Sequence, residues 1–255
     1  YLLSGEVRPR VLLPTGALTG VATAIYAWSS PWWMPETVAS NRFQCRDPAA
    51  PGSARNVAVT EFDALVAALR GTGVEVHAID EPAGTTCPDC VFPNNWVSLH
   101  HDGTVVLYPM LASNRRLERR LELLVALEQR GGFAVSRLLD LSHHELSGRF
   151  LEGTGSVVFD HESRIAYACP SPRTNADVLA ELCDEVGYEP FAFDATDREG
   201  VAVYHTNVLL SIGRRSAIVC AEAVPGRHGG PCPSGWGPTG AGVAASVPRR
   251  WPRLP

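Results

Sequence analysis

Apolar residues recur at helical spacing in three segments of the chain. The first covers residues 61–70, the second residues 114–130 and the third residues 176–186. Within each segment the apolar positions lie three or four apart, so they line one face of a helix that can pack on a core. The residues expected to face inward are Phe62, Leu65, Val66 and Leu69 in the first helix, Leu117, Leu121, Leu124 and Val125 in the second, and Val178, Leu179 and Leu182 in the third.

Short strand patterns flank these helices. Residues 74–79, 133–139 and 188–193 each follow one helix. Two strand pairs precede the second and third helices, and they cover residues 96–99 with 104–108 and residues 156–159 with 164–169. Between the strands of the first pair, Asp102-Gly103 is a two-residue turn signal that predicts a hairpin.

The order strand, strand, helix, strand therefore repeats, with helix starts roughly 55 to 60 residues apart. Such a period indicates radial repetition, in which the loops of several units meet around one central mouth and bind a small molecule together. The residues alone thus predict an α/β repeat protein with a central site.

Composition narrows the class of protein further. The chain has 255 residues and a formal net charge of −5, and all 22 basic residues are arginine. A negative balance argues against a nucleic-acid surface. No window reaches the roughly 18 apolar residues that a membrane helix needs, and residues 11–28 lack the order of a secretory signal. Seven scattered cysteines are unlike a disulfide framework, so we expect reduced thiols and a cytoplasmic protein.

The two ends of the chain differ from the middle. Residues 1–31 are weakly patterned. Residues 225–255 contain seven glycines, seven prolines, four arginines and no acidic residue. This composition disfavours helices and central strands. We therefore expect one α/β domain over residues 32–224, followed by a disordered tail.

Two polar segments in the first part of the domain are candidates for chemistry. Residues 88–96 contain Asp89 and Asn95, although aspartate, asparagine and proline also fill turns for backbone reasons. Residues 150–156 place Glu152 among glycines, which let a ligand approach the backbone closely. A solvated loop glutamate is the ordinary explanation of the second segment.

Two further segments follow. Residues 171–175 put Arg173 directly before a helix, where a guanidinium can bind a carboxylate through two hydrogen bonds. A surface arginine is the commoner outcome. Residues 204–208 contain His205, a side chain suited to proton transfer near neutral pH. A buried histidine with a structural partner is equally ordinary at that position.

Taken together, five ordered motifs resemble the guanidino-group-modifying, or pentein, superfamily. They are PDCVFPNNW, YPMLASNRRLERR, FLEGTGS, SPRTN and YHTNV, and the resemblance extends over about residues 35–224. The chain looks most like the amidinotransferase-related citrulline-utilisation hydrolases. Dimethylarginine dimethylaminohydrolases and arginine deiminases are more distant relatives.

The resemblance implies a five-fold pseudo-symmetric α/β propeller around a central channel. It also implies that a cysteine thiolate attacks the carbon of a guanidinium or ureido group, releasing ammonia or an amine. The covalent intermediate is then hydrolysed or transferred to a second amine. No metal or other cofactor takes part, and the expected partner is a small arginine-like or citrulline-like substrate. Assembly of identical subunits stays open.

The resemblance also assigns roles to single residues. His205 matches the catalytic histidine, and Glu152 matches the acid that orients it or the guanidinium. Asp89 matches a substrate-contacting aspartate. Arg173 matches an arginine that binds the substrate carboxylate, and Arg116 lies where another relative supplies a similar contact.

Departures from the family pattern affect other positions. Arg115 is the alternative to Arg116 as the second residue that contacts the substrate carboxylate. Asn95 and Asn207 stand where the deiminases have aspartates. The loss of negative charge at Asn95 weakens cation binding and favours a neutral ureido or altered substrate.

The family nucleophile is not identified in the sequence. In the family it lies in a glycine-rich segment well beyond the histidine motif, and no segment here matches it. Cys220 lies in an apolar run and is expected to be a core residue, whereas Cys232 lies in the tail. Because the composition changes abruptly at Pro225, we expect an incomplete propeller from a truncated or frameshifted family member.

Two other functions remain open. One is a non-catalytic binder that keeps the site as a receptor for arginine-like ligands. The other is zinc binding through Cys87 and Cys90, with His100 and His101 nearby. A single cysteine pair without a partner pair is weak evidence for a metal, so we expect no metal site.

Overall fold

Three-stranded sheets built from a hairpin and one parallel strand recur in the computed structural model of the chain. The structure describes residues 22–25, 51–73, 76–79, 93–131, 133–213, 216–220, 223–224 and 245–248. The chain divides into two units, Tyr1–His143 and His144–Pro255.

The first unit contains a two-stranded and a three-stranded sheet. Its elements are β1 (Ala22–Ile25), α1 (Pro51–Gly71), β2 (Val76–Ile79), β3 (Val97–Leu99), β4 (Thr104–Leu107), α2 (Glu122–Gly131) and β5 (Arg137–Asp140). Strands β1 and β2 are parallel. Strand β4 pairs antiparallel with β3 and parallel with β5. The predicted order of hairpin, helix and strand is therefore confirmed here.

The second unit repeats this pairing. Its elements are α3 (Gly153–Ser156), β6 (Val157–Asp160), β7 (Ile165–Ala168), α4 (Ala176–Val186), β8 (Glu189–Ala192), β9 (Leu210–Ile212), β10 (Ser216–Val219) and β11 (Ala245–Pro248). Strand β7 pairs antiparallel with β6 and parallel with β8, while β10 lies between β9 and β11 with both pairs antiparallel. The sequence prediction of a mixed α/β fold is thus confirmed.

The first hairpin has a longer turn than the sequence predicts. The N–H of His100 donates to the carbonyl of Thr104 at 2.8 Å, so three residues rather than two connect the strands. Gly103, the last of these, has a φ of 83°. This left-handed residue completes a type of hairpin loop that carries a bulge beside the turn. The Thr104 N–H also donates to the Asp102 carboxylate and lowers the pKa of that group.

The second predicted helix is wrong in its extent and in its inward face. A 3₁₀ helix covers Ser113–Glu118, and α2 begins only at Glu122. The change of helix type resets the phase of the side chains, because a 3₁₀ helix turns by three residues rather than 3.6. Leu117 is consequently 62% exposed, and Leu121 and Val125 are also exposed. The buried residues of α2 are Leu123, Leu124 and Leu127.

The third predicted helix matches α4 at both ends. Asn175 accepts hydrogen bonds from the N–H groups of Asp177 and Val178 and so caps the start. Gly187 has a left-handed backbone and ends the helix. The predicted inward residues are buried, and they are Val178, Leu179 and Leu182. In α1, by contrast, Phe62 and Val66 are buried, Leu69 is half-buried and Leu65 is exposed.

Each unit has its own apolar core. In the first, Trp96, Val105, Met110, Leu127 and Phe133 belong to one buried cluster. In the second, a buried cluster is formed by residues that include Cys169, Val203, Leu209, Leu210 and Val219. These clusters hold the hairpins against the segments that carry the candidate site residues.

Two sequence predictions concern regions that the structure describes only in part. Within the expected disordered tail, Ala245–Pro248 is a strand, and the other tail residues lie outside the described part of the chain. Of residues 1–31, only β1 is described. Across the described residues, none of the helices combines the length and apolar character needed to cross a membrane.

Replacing Gly103 by alanine is expected to lower the melting temperature. The left-handed backbone alone costs about 1 to 2 kcal/mol for an L-residue, and an added Cβ would overlap the Ser136 hydroxyl and the Ala134 carbonyl. Gly200→Ala is the matched control, because its φ is 78° but nothing lies within 4 Å of the added Cβ. Thermal unfolding should show the larger loss for Gly103→Ala. Equal losses would show that the contacts of residue 103 relax without cost.

Candidate active site

Glu152 is the centre of the candidate site in the second unit. The residue is fully buried, with 0% of its surface exposed. Directly after it, Gly153 has a φ of 45°, a backbone that glycine adopts without side-chain penalty. The Ser156 N–H then donates to the Glu152 carbonyl at 3.0 Å. The FLEGTGS motif therefore folds as a tight turn that holds a carboxylate inside the protein.

The imidazole of His205 contacts this carboxylate. Its Nε2 lies 2.8 Å from Oε2 of Glu152, and the histidine is itself buried. His205 has an extended backbone and precedes the 3₁₀ helix Thr206–Val208. A carboxylate in this position fixes the orientation of the ring and stabilises a proton on it. Two residues that are 53 positions apart in sequence therefore meet in space.

Arg173 supplies a second donor to the same oxygen. Its Nη1 lies 3.2 Å from Oε2 of Glu152, and the arginine is buried. The backbone between Ser171 and Thr174 closes on itself through two hydrogen bonds of 3.0 and 3.1 Å. The carbonyl of Arg173 also accepts the Glu152 N–H at 3.2 Å. Backbone and side chain together thus join the two motifs.

An aromatic ring lies beside both basic groups. The Tyr204 ring centroid is 4.7 Å from that of His205 and 5.3 Å from Cζ of Arg173. The face of a phenol ring attracts a cation at this range. Tyr204 directly precedes His205 in the YHTNV motif, and this position was the one sequence signal that could have indicated its role.

The charges of this cluster determine what it can do. One buried carboxylate oxygen receives both a guanidinium and an imidazole, and each contact offsets part of the cost of burying the charge. The imidazole of His205 can carry a proton to or from a neighbouring group, and its contact with Glu152 fixes the direction in which the ring points. A positioned proton beside a guanidinium suits a reaction that transfers a proton to or from a small bound molecule.

The buried cysteines of this unit are thiols rather than thiolates. Burial raises the pKa of Cys169, and burial with the nearby Asp184 carboxylate raises the pKa of Cys183 to about 11. Since the thiolate is the nucleophilic form, neither side chain is prepared to attack at neutral pH. Cys220 is half-buried and packs against the apolar core of the unit, in agreement with the sequence expectation.

Asn95 belongs to a different polar cluster, which lies in the first unit. Arg115 donates to both carboxylate oxygens of Glu118, at 2.8 and 3.0 Å, and all three residues are buried. With the Asn95 amide turned to face the guanidinium, its oxygen accepts from the two terminal nitrogens of Arg115 at 2.8 and 3.2 Å. The cluster balances one positive charge against one negative charge and adds a neutral acceptor. Its acid, Glu118, was not singled out from the sequence.

The other predicted site residues are placed as follows. Arg116 is half-buried in the first unit and donates to the backbone carbonyls of Met110 and Leu111. Asn207 is exposed on the 3₁₀ helix that follows His205. Asp89 lies outside the described residues, as do the two cysteines of the zinc alternative. The nearby His100 is buried, and its Nε2 lies 3.0 Å from the Ser98 hydroxyl.

Comparison of the sequence with known families gives one match. Residues 32–229 match the model of a family described as N,N dimethylarginine dimethylhydrolase, eukaryotic. The matched range contains all five sequence motifs named above. No curated protein sequence matches the chain.

Solved structures also share the fold of this chain. The chain is 18% identical to the N-terminal domain of ArgZ bound to substrate, an arginine dihydrolase from the ornithine–ammonia cycle in cyanobacteria. This likeness has a TM-score of 0.50 and covers 74% of the chain and 62% of the ArgZ domain. The chain therefore spans less than two thirds of that relative.

Two other structures have comparable scores. A dimethylarginine dimethylaminohydrolase adduct with S-methyl-L-thiocitrulline is 16% identical, with a TM-score of 0.50 over 75% of the chain and 66% of the enzyme. Unliganded AgrE is 19% identical, with a TM-score of 0.55 over 79% of the chain and 27% of AgrE. At these identities the likeness establishes a shared α/β fold.

In the folded protein, buried cysteines should be alkylated more slowly than the half-buried one. At pH 8 a pKa of about 11 leaves roughly one thiolate per thousand, so Cys183 should react with iodoacetamide slowly in the folded chain and rapidly in denaturant. Cys169 should behave in the same way. Peptide mass spectrometry measures both rates, with the half-buried Cys220 as the internal comparison. Fast modification of Cys183 in the folded protein would contradict the assignment.

Proposed function

The chain belongs to the eukaryotic N,N-dimethylarginine dimethylhydrolase family, and we propose that it hydrolyses a carbon–nitrogen bond of an arginine-like or citrulline-like compound. The family description names a hydrolase of dimethylarginine, which is a guanidino compound. The observation that supports the proposal most directly is the buried Glu152 oxygen shared by His205 and Arg173. Such an arrangement is costly to bury and is typical of sites that handle protons.

Three residues carry the proposed chemistry in the second unit. His205 delivers a proton to the leaving ammonia or amine and accepts one from the attacking water. Glu152 orients the imidazole and stabilises its protonated form. A carboxylate group of the substrate would bind the guanidinium of Arg173, which also contacts Glu152. The Tyr204 ring packs beside the Arg173 guanidinium and the His205 imidazole.

Four further residues are proposed to complete substrate binding on the strength of the motif resemblance. Asp89 would contact the guanidino or ureido group, and Arg116 would add a contact to the substrate carboxylate. Asn95 and Asn207 replace acids, which favours a neutral ureido or otherwise altered substrate.

The proposed mechanism requires a thiolate, which neither Cys169 nor Cys183 supplies at neutral pH. Cys169 and Cys183 are buried thiols with raised pKa values. We therefore propose that neither is the nucleophile. The family cysteine is not identified in the sequence, so the hydrolysis proposed above depends on a thiol that another residue supplies.

The remaining proposals rest on family resemblance. A five-fold α/β propeller would place the motifs around one channel, and the shared strand order of β3–β5 and β6–β8 supports such a repeat. Citrulline utilisation, a cytoplasmic location, transfer to an amine instead of water and assembly of identical subunits are further proposals of this kind.

A non-catalytic binder is the second candidate function. The raised pKa values of Cys169 and Cys183 favour it, because without a thiolate the covalent step cannot begin. In this case Glu152, Arg173 and His205 would bind an arginine-like ligand without converting it.

Removing the imidazole of His205 should lower the rate of turnover strongly. Incubation with arginine, methylated arginines and citrulline, followed by assays for ammonia, amines, citrulline and ornithine, identifies the substrate. His205→Ala is expected to lower kcat by about 100- to 10,000-fold, the usual range for losing a general acid or base. Glu152→Gln should lower it as well, because the neutral amide cannot stabilise the protonated ring.

The matched control is His101→Ala, which removes an exposed histidine of the first unit. It should leave kcat unchanged. Saturable binding of the same compounds without turnover by the unmodified chain would support the binder instead. A kcat of His205→Ala that equals that of the unmodified chain would contradict the proposed mechanism.

A further inference from the structure

Two buried hydroxyl groups connect the three chain segments that form the candidate site. Glu152, Arg173 and His205 come from separate loops, and their side chains meet within 3.2 Å. Ser156 and Thr206 lie beside them and are each 0% exposed. A buried hydroxyl is costly unless its hydrogen bonds are satisfied, so the contacts of these two side chains show what they hold together.

Ser156 joins the first two segments. Its Oγ accepts the N–H of Glu152 at 3.0 Å and donates to the carbonyl of Arg173 at 2.9 Å. This side chain therefore reinforces the direct bond of 3.2 Å from the Glu152 N–H to the Arg173 carbonyl, and together these bonds set the distance between the backbones of the carboxylate and guanidinium residues. The side-chain contact between Glu152 and Arg173 depends on that distance.

Thr206 joins the third segment to the same point. Its Oγ1 donates to the carbonyl of Ser156 at 2.6 Å and accepts the N–H of Cys169 at 2.8 Å. Because Thr206 directly follows His205, these two bonds fix the backbone of the histidine relative to the turn that carries Glu152. They also attach it to the end of β7.

We propose that Ser156 and Thr206 are positioning residues, whose hydroxyl groups hold His205 and Arg173 at hydrogen-bonding distance from the Glu152 carboxylate. The proposal deepens the proposed function, and its kinetic part rests on that function. Neither hydroxyl bonds to the side chains of the three site residues. Both act through the backbone, so their loss should move the site groups without changing the chemical identity of any of them.

Paired substitutions at Thr206 separate positioning from packing. Thr206→Val keeps the shape of the side chain and removes the hydroxyl, whereas Thr206→Ser keeps the hydroxyl and removes the methyl group. A displacement of catalytic groups by about 1 Å can cost up to about 100-fold in rate. We expect kcat of Thr206→Val to fall by about 10- to 100-fold with KM nearly unchanged, and Thr206→Ser to retain most of the activity.

A second readout does not require activity. In protein labelled with ¹⁵N-histidine, the ring-nitrogen signals of His205, assigned by their loss in His205→Ala, report its hydrogen bond to Glu152. These signals should shift in Thr206→Val and stay near their original positions in Thr206→Ser. If the unmodified chain turns over no substrate, the proposed enzymatic function fails while the NMR comparison still decides the positioning role.

Ser156→Ala provides the second test and covers the case in which Thr206→Val does not fold. It should shift the same His205 signals, whereas Ser211→Ala, the loss of an exposed serine hydroxyl in the same unit, should not. Unchanged His205 signals in Ser156→Ala would overturn the proposal. Equal shifts in Thr206→Val and Thr206→Ser would also overturn it, because the methyl group rather than the hydroxyl would then be the cause.

Discussion

A single carboxylate oxygen, Oε2 of Glu152, sets the arrangement of the second unit. Moving an ionised carboxyl group out of water costs several kcal/mol even after the protein relaxes. Hydrogen-bond donors offset the cost, and here they come from two other segments, at Arg173 and His205. The loops that carry these donors must therefore meet at one point, and the sheet of β6, β7 and β8 and the core around Cys169 provide the framework on which they do so.

Each unit buries a carboxylate, and the two units provide its hydrogen-bond donors in different ways. In the first unit, Arg115 and Glu118 lie three positions apart within one 3₁₀ helix, so their ion pair needs only local backbone geometry. In the second unit, the charged groups are brought together by tertiary structure. A local pair suits a structural role, whereas a cluster that joins distant segments suits a site whose geometry depends on the whole unit.

Local signals in the sequence predicted α4 at both ends, because Asn175 and Gly187 act on their own neighbours. The inward face predicted for the second helix, which included Leu117, was wrong. The chain changes from a 3₁₀ helix to an α-helix near residue 120, and this change depends on packing that the apolar pattern does not encode. The motifs identified Glu152 and His205 as a pair. Ser156 and Thr206 were not singled out, because serine and threonine are common in loops and only coordinates show which hydroxyl groups are buried.

The residues of this cluster are far apart in sequence, and this affects the order in which parts of the protein fold. The hydroxyl contact between Ser98 and Tyr108 spans ten positions, whereas the contact between Glu152 and His205 spans 53. The entropy lost on closing a loop grows with the logarithm of its length, so hairpins can form before the cluster is complete. On partial unfolding the reverse holds, and the contacts around Glu152 would come apart while much of the strand pairing persists. Loss of ligand binding would then precede loss of secondary structure as the temperature rises.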